Sequence, residues 1–260
     1  MRTLLKGADI LLRKENGYET LHGAYLGVDE AKIDYIGEEK PEKAYDLEKD
    51  MSGRLLAPGL INCHSHIAMT LMRGLADDLP LMRWLNEAIW PAETRHASTT
   101  FVRDGSLLAA AEMLRGGITT CNDMYFYPEA TAEAFDRVGL RAVLGITVIE
   151  FPSQYASDAD DYLAKGLAVR DGLINEPLLS FCLAPHAPYT VNDRNFTQSL
   201  TLAEQCEIPI HLHLHETQQE IEDSVQRFGI RPIERLRRLG LLPQHFAKLQ
   251  QPRPRPAQHG

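Results

Sequence analysis

Leu55-Leu-Ala-Pro-Gly-Leu-Ile-Asn-Cys-His-Ser-His66 decides the fold, because it has the pattern of an apolar strand that ends in two histidines. Residues two apart on a strand point to the same face, so we expect His64 and His66 to share one. Two imidazoles on one side of a strand end can bind a single metal ion. For this motif taken alone, a pair of loop histidines without a ligand is an equally good interpretation.

From Leu55 onward, short apolar runs alternate with stretches of helical periodicity. The predicted strands are 55–62, 118–123, 141–149, 178–184 and 208–213, and the predicted helices are 99–115, 129–138, 160–173, 194–206 and 220–239. This alternation predicts a parallel sheet covered by helices. With polar residues at the strand ends, it favours an α/β fold of the TIM type, an incomplete (β/α) barrel with about five strands. A doubly wound sheet is the alternative, but no Gly-x-Gly-x-x-Gly motif follows the first strand.

A second group of candidate metal ligands lies in Pro209-Ile-His-Leu-His-Leu-His-Glu216. His211, His213 and His215 alternate along the predicted fifth strand, so we expect them on one face. One of them could complete the site begun by the first strand. Glu216 follows at the strand end, where a carboxylate can handle the protons of a metal-activated water. The alternative is a row of histidines that binds nothing. This alternative is less favourable because one chain carries two histidine-rich strand ends.

Three further polar residues lie near predicted strand ends or after a helical run. His186 comes directly after the fourth strand, at the edge where such sheets carry their chemistry, although a loop histidine with a local hydrogen bond is the alternative. Glu93 follows an aromatic-rich helical run, and the residues alone favour an ordinary helix-surface carboxylate. Asp123 ends the second strand and also points to this edge, but the sequence assigns it no role.

Bulk composition excludes several classes of protein. The 260 residues carry a net charge of −9, which argues against a nucleic-acid partner. No apolar run has the length of a membrane span, so no membrane partner is expected.

Residues 1–54 hold short β-like runs and predict a small N-terminal β-subdomain. Four cysteines lack a paired spacing, which predicts reduced thiols and a cytoplasmic protein: Cys63, Cys121, Cys182 and Cys206.

Four motifs, in this order and spacing, resemble those of the amidohydrolase superfamily. They are Pro58-Gly-Leu-Ile-Asn-Cys-His-Ser-His66, Pro91-Ala-Glu93, Ala184-Pro-His-Ala-Pro-Tyr189 and His213-Leu-His-Glu216. The branch that the chain resembles most is that of the 5-methylthioadenosine/S-adenosylhomocysteine deaminases, grouped with triazine-hydrolase-like enzymes. The similarity runs from about residue 5 to about residue 245.

The resemblance implies a zinc-dependent hydrolytic deaminase that converts adenosine thioethers to their inosine analogues and releases ammonia. The implied roles are His64, His66 and His213 as zinc ligands, Glu93 and His186 as substrate contacts, and Glu216 as a substrate contact and catalytic proton carrier. The fourth strand has no lysine that could bridge two metals, which favours one ion, with iron or manganese as alternatives to zinc. The implied partner is a small purine nucleoside, and homo-oligomers are an open option for full-length relatives.

The chain departs from the family pattern in its last part. The family places a histidine after its sixth strand and an aspartate after its eighth, whereas the last aspartate here is Asp223. Neither His245 nor His259 has a strand before it, so neither replaces the missing histidine. We therefore predict a C-terminally truncated chain with little or no deaminase activity. Its predicted divisions are 1–54 for the β-subdomain, 55–245 for the N-terminal portion of the barrel, and 246–260 for an unstructured aberrant tail.

Alternative functions stay open at this point. Guanine or cytosine deamination and triazine dechlorination use the same scaffold, and three histidines alone could form a non-catalytic metal-binding fragment. The sequence does not fix the 5′ substituent of the substrate, because no anchor for a homocysteine carboxylate is evident and Arg73 or Arg141 would be guesses. Trp84, Ile89 and Trp90 are interpreted as packing residues, with a lid over an apolar ligand group as the alternative.

Overall fold

The computed structural model describes residues 1–242, which form two compact units. The first unit comprises Met1–Leu60, and the second begins at Ile61. The predicted domain bounds stay predictions. The predicted tail 246–260, together with His245 and His259, lies outside the described residues.

The first unit is a five-stranded mixed sheet. Its strands are β1 (Arg2–Lys14), β2 (Gly17–Asp29), β3 (Lys32–Gly37), β4 (Leu47–Asp50) and β5 (Leu55–Leu56). The order is β3-β2-β1-β4, with antiparallel pairing of the first three strands, while β4 and β5 both run parallel to β1. Its small core is built on Ala8, Ile10 and Ala24. These features agree with the predicted β-subdomain.

The second unit contains an open sheet of four strands in the order β6-β7-β8-β9. The strands are β6 (Leu60–Ser65), β7 (Ile118–Asp123), β8 (Arg141–Val148) and β9 (Leu179–Pro185). The pairs β7–β8 and β8–β9 are parallel, as predicted. The main core of the unit includes Leu144, Ile146 and Leu183 from β8 and β9, all almost fully buried. The α/β prediction with a parallel sheet is confirmed, and the sheet of the described residues does not close into a barrel.

Helices alternate with these strands. Their bounds are α1 (Leu81–Trp84), α2 (Trp90–His96), α3 (Thr99–Arg115), α4 (Pro128–Val138), α5 (Ala159–Leu173), α6 (Asp193–Gln205), α7 (Gln218–Phe228) and α8 (Pro232–Arg238), with a 3₁₀ turn at Ile67–Met72 and a π-helical turn at Leu85–Ile89. The start of α3 is fixed by Ser98, whose hydroxyl oxygen accepts the N–H of Phe101. The single helix predicted over 220–239 is wrong. Gly229 takes a left-handed φ of 72° and Pro232 restarts the helix, so two helices form.

The segment predicted as the fifth strand, 208–213, lies along β9 without forming a regular ladder. One isolated parallel bridge joins Ile210 to Leu183. Pro209 has no N–H to donate, and its carbonyl accepts from the N–H of Leu183 at 2.9 Å. The N–H of His213 then donates to the carbonyl of His186 at 2.9 Å, which holds the end of the segment beside the loop after β9.

None of the helices in the described range 1–242 combines the length and the apolar character that a membrane crossing requires.

Candidate metal and substrate site

Three histidines from two separate parts of the second unit converge at the carboxyl edge of its sheet. His64 and His66 come from the end of β6, and His213 comes from the segment beside β9. The Nε2 atom of His213 lies 3.1 Å from that of His64 and 3.2 Å from that of His66. The sequence predicted this meeting of the first and fifth strand regions, and the geometry brings the three residues together.

Backbone carbonyls fix the orientation of two of these rings. His66 donates from Nδ1 to the carbonyl oxygen of Met124 at 2.6 Å, and His213 donates from Nδ1 to that of His186 at 3.1 Å. With the proton on Nδ1, the lone pair of each Nε2 faces into the cluster. Burial also lowers the pKa of His66 to about 4, which favours the neutral ring. Neutral rings with converging lone pairs repel each other unless a cation lies between them.

His211 and His215 differ from their neighbour His213 in what they contact. His211 Nε2 lies 2.7 Å from Nδ1 of His64, so a proton on that Nδ1 would leave Nε2 of His64 free as a ligand. His215 does not join the cluster, which makes the prediction of three histidines on one face wrong. Its φ of 57° is left-handed and ends the strand-like alternation, and its Nε2 accepts the N–H of Ile233 at 3.4 Å.

The donor set fits a zinc ion. Zinc binds imidazole nitrogen at about 2.0–2.1 Å, so two nitrogens of a tetrahedral site lie roughly 3.3 Å apart. The two short Nε2 separations, 3.1 and 3.2 Å, are close to that value, and all three ligand atoms lie within 4.8 Å of one another. Three imidazoles leave a fourth position open, which is the pattern of a catalytic rather than a structural zinc site.

A set of hydrogen bonds ties the β6 end to the end of β7. The hydroxyl of Ser65 donates to the carbonyl of Asn122 at 2.8 Å, and the N–H of Met124 donates to the carbonyl of Ser65 at 2.9 Å. The buried carboxylate of Asp123 accepts the N–H of Ile67, next to His66, at 2.8 Å. Burial raises the pKa of Asp123 to about 7. The sequence assigned Asp123 no role, and the structure makes it an anchor of the loop that carries His66.

His186 lies where the sequence predicted, at the end of β9, and its ring contacts that of His213 with centroids 4.9 Å apart. Its Nδ1 is 2.8 Å from the hydroxyl of Thr190. Burial lowers its pKa to about 3, so the ring is neutral at physiological pH. A neutral imidazole can donate one hydrogen bond or accept one from a bound molecule.

Glu216 is held from two directions. The phenol of Tyr189 donates to Oε2 of Glu216 at 2.9 Å. The backbone N–H of Glu216 donates to the carboxylate of Glu220 at 2.7 Å, and Glu220 itself lies at the capped start of α7, where the hydroxyl oxygen of Thr217 accepts its N–H. Sequence reasoning missed Tyr189 and Glu220. The Thr217-x-x-Glu220 capping pattern is the signal that would have found the second of them.

Glu93 is partly buried, whereas the residues alone favour an exposed carboxylate on the helix surface. Burial raises the pKa of its carboxyl to about 7. Its neighbour Tyr125 is only 5% exposed, and the Tyr125 hydroxyl beside the Glu93 carboxyl partly offsets this rise in the pKa. A partly buried carboxyl beside a phenol can bind a polar group of a ligand.

One cavity of about 250 Å³ joins these residues. Its polar lining comprises His66, Glu93, Tyr125, His186, Tyr189, His213 and Glu216, among others. Its apolar lining includes Trp84, Leu85, Ile89, Trp90 and Phe151. The tryptophans interpreted as packing residues therefore face the cavity. An apolar cavity with a few convergent polar groups is the usual form of a small-molecule site.

Neither Arg73 nor Arg141, the two arginines named as possible carboxylate anchors, lines this cavity. Arg73 is engaged by Glu112, with N–O distances of 3.1 and 2.6 Å. Arg141 begins β8, whereas the cavity meets Thr147 near its end. Thr147 lies six positions after Arg141 along the strand, which corresponds to about 20 Å.

A helix-covered parallel sheet with histidines and carboxyls at its carboxyl edge is typical of metal-dependent hydrolases with (β/α) folds. The model of the amidohydrolase family matches residues 55–248. The chain belongs to this family.

Two curated relatives and one solved structure illustrate the similarity. Over 198 residues the chain is 49% identical to a 5-methylthioadenosine/S-adenosylhomocysteine deaminase of Saccharophagus degradans, covering 76% of this chain and 44% of the relative. Over 246 residues it is 41% identical to the Thermodesulfovibrio yellowstonii deaminase of the same name, covering 93% and 56%. A zinc-bound adenosine deaminase from Xanthomonas campestris superposes with a TM-score of 0.87 at 42% identity, covering 92% of this chain and 55% of that one. The chain spans about half the length of these proteins.

Proposed function

We propose that this protein is a zinc-dependent hydrolytic deaminase of adenosine nucleosides, and that its substrates are 5′ thioethers such as 5-methylthioadenosine and S-adenosylhomocysteine. The observation that carries the proposal is the convergence of three imidazoles, two of which, His66 and His213, line one cavity with the Glu216 carboxylate. The names of the relatives support the substrate class. A small purine nucleoside as partner and a cytoplasmic location belong to the same proposal.

In this proposal, His64, His66 and His213 hold one zinc ion through their Nε2 atoms. A bound zinc ion lowers the pKa of water to roughly 7, which supplies a nucleophile near neutral pH. The carbonyls of Met124 and His186 keep two of the rings in the tautomer that a metal requires. The zinc-bound Xanthomonas campestris structure supports this choice of metal.

Glu216 carries the proton in the proposed reaction. Water replaces the 6-amino group of the purine, and the ring nitrogen N1 must gain a proton as the oxygen adds to C6. A carboxylate beside the ring can deliver that proton and return one to the leaving ammonia. The hydrogen bond from Tyr189 keeps Oε2 of Glu216 in one orientation, so that Oε1 is the oxygen free to carry the proton.

Glu93 and His186 bind the substrate in this proposal. Both line the cavity with Glu216, and neither is a zinc ligand. The Glu93 carboxyl can accept hydrogen bonds from the ribose hydroxyls, and the neutral His186 ring can contact the purine or the attacking oxygen. Each group is partly buried, so an unmade hydrogen bond in the bound state would weaken binding.

The test measures zinc content, nucleoside binding and ammonia release on one preparation of the 260-residue chain. We expect one zinc per chain, zinc-dependent binding of 5-methylthioadenosine, and weaker zinc binding in His213→Ala. Glu216→Gln should keep zinc and lose any measurable ammonia release. Zinc retained without nucleoside binding would instead support the non-catalytic metal-binding alternative. Tighter binding of guanine or a triazine would refute the adenosine substrate.

A further inference from the structure

One wall of the cavity is built by a single continuous segment, Leu81 to Ala97. It consists of α1, the π-helical turn Leu85–Ile89, and α2. Seven residues of this segment besides Ala97 line the cavity: Leu81, Trp84, Leu85, Ile89, Trp90, Glu93 and Thr94. π-helical turns are rare and are frequent at functional sites. The wall is therefore a feature of the binding cavity rather than a piece of the general core.

Aromatic side chains are held in place within this wall. The indole of Trp84 donates from Nε1 to the carbonyl of Leu75 at 3.1 Å, which fixes its ring. The rings of Trp90 and Phe151 contact each other with centroids 5.4 Å apart. Leu85 and Ile89 between the tryptophans are buried. These side chains form an apolar surface that favours an apolar ligand group.

Among residues 1–242, the titratable groups with a full charge that line the cavity are carboxyls, apart from its histidines. Glu93 and Glu216 contribute carboxyl groups, and the lining drawn from residues 1–242 includes no lysine or arginine. A carboxylate brought into this cavity would lose water, gain no cationic partner, and face two carboxyl groups. The apolar wall and the acidic groups therefore both disfavour a ligand group that ends in a carboxylate.

We propose that this cavity selects nucleosides whose 5′ substituent is uncharged and apolar, and discriminates against a substituent that ends in a carboxylate. The inference rests on the proposed function, since it takes a nucleoside to be the ligand. With the purine beside the histidines and Glu216, the 5′ substituent lies against Trp84, Trp90 and Phe151. The methylthio group or the bare 5′ carbon is buried there, and a nucleoside with the homocysteine tail binds more weakly.

The test compares three ligands on the zinc-loaded wild-type chain at pH 8, using calorimetry and tryptophan fluorescence. Both tryptophans of the chain line the cavity, so their emission reports on its occupancy. We expect S-adenosylhomocysteine to bind at least about tenfold more weakly than 5-methylthioadenosine or 5′-deoxyadenosine. Equal or tighter binding of S-adenosylhomocysteine overturns the inference alone. Failure of all three ligands to bind a zinc-loaded chain overturns the proposed function with it.

A charge added to the wall provides a second, independent test. Phe151→Arg places a guanidinium where the substituent lies and should shift the ratio of dissociation constants toward S-adenosylhomocysteine by about tenfold or more. Ile174→Arg is the matched control, because Ile174 is 55% exposed after α5 and does not line the cavity. It should leave the ratio unchanged. An unchanged ratio in the Phe151 variant overturns the placement of the substituent at this wall.

Discussion

Removing the carboxylate of Asp123 should weaken zinc binding although this residue is not a ligand. Asp123 is 3% exposed, and its Oδ1 accepts the N–H of Ile67, the residue after His66. The next residue, Met124, accepts the Nδ1 proton of His66 through its carbonyl. Asp123 thus holds the loop in the position that lets this carbonyl set the tautomer of the ring.

The magnitude follows from the hydrogen bond that is lost. In Asp123→Ala the N–H of Ile67 has no acceptor in a buried position, which costs about 1–3 kcal/mol. Mutation of groups that orient a metal ligand lowers metal affinity by roughly 10–100-fold. Asp123→Asn keeps an oxygen that can accept the same N–H, so its loss should stay below about tenfold. The alanine variant should also unfold more easily.

Competition with a chelator of known affinity measures the zinc dissociation constant, and circular dichroism checks the fold of each variant. Asp136→Ala is the matched control, because Asp136 is exposed on α4 in the same unit. Its affinity should equal that of the wild type. A folded Asp123→Ala variant with unchanged zinc affinity would refute the role of Asp123. A loss in the asparagine variant as large as in the alanine variant would assign the effect to charge instead of hydrogen bonding.

Three further changes test the packing around the site. Burial raises the pKa of Glu93 from 4.5 to about 7, so its ionisation destabilises the fold progressively from about pH 4.5 to 7. Glu93→Gln should therefore unfold at higher denaturant concentration than wild type above pH 7, by up to about 3 kcal/mol, and should show no such gain at pH 4. Arg235 is 4% exposed and donates to the carbonyls of Pro188 and Val191, so Arg235→Met should lower the free energy of unfolding by about 1–3 kcal/mol, whereas an unchanged free energy would show that these hydrogen bonds are dispensable. A Cβ at Gly105 would lie 2.5 Å from the carbonyl oxygen of Ala68, so Gly105→Ala should cost about 1–3 kcal/mol in the same denaturation assay, and an unchanged midpoint would contradict that contact.

Local patterns predicted most of the elements and the residues of the site. Helix α3 has the predicted bounds because Ser98 and Gly116 mark its two ends within the chain itself. His64 and His66 share a site with His213 because all three follow the carboxyl ends of neighbouring parallel segments. In a parallel sheet those ends lie at the same edge. The catalytic and binding roles of these residues, and the low activity expected of the chain, stay predictions.

What the sequence did not predict depends on contacts between distant residues. The left-handed backbone at His215 removes it from the cluster, and the alternating pattern of histidines gives no sign of that turn. Asp123 meets Ile67 across 56 positions, and Tyr189 meets Glu216 across 27. Such pairs have no sequence periodicity, because they form only when the elements that carry them pack together. The predicted fifth strand failed for a local reason, the missing donor of Pro209.

X-ray absorption spectroscopy of the zinc-loaded chain is the most direct measurement of the central claim, that imidazoles from both ends of the chain's second unit bind one ion. We expect three nitrogen ligands at about 2.0–2.1 Å with the scattering pattern of imidazole, and two such ligands in His213→Ala. A spectrum with one imidazole or none, or one that His213→Ala leaves unchanged, would contradict it.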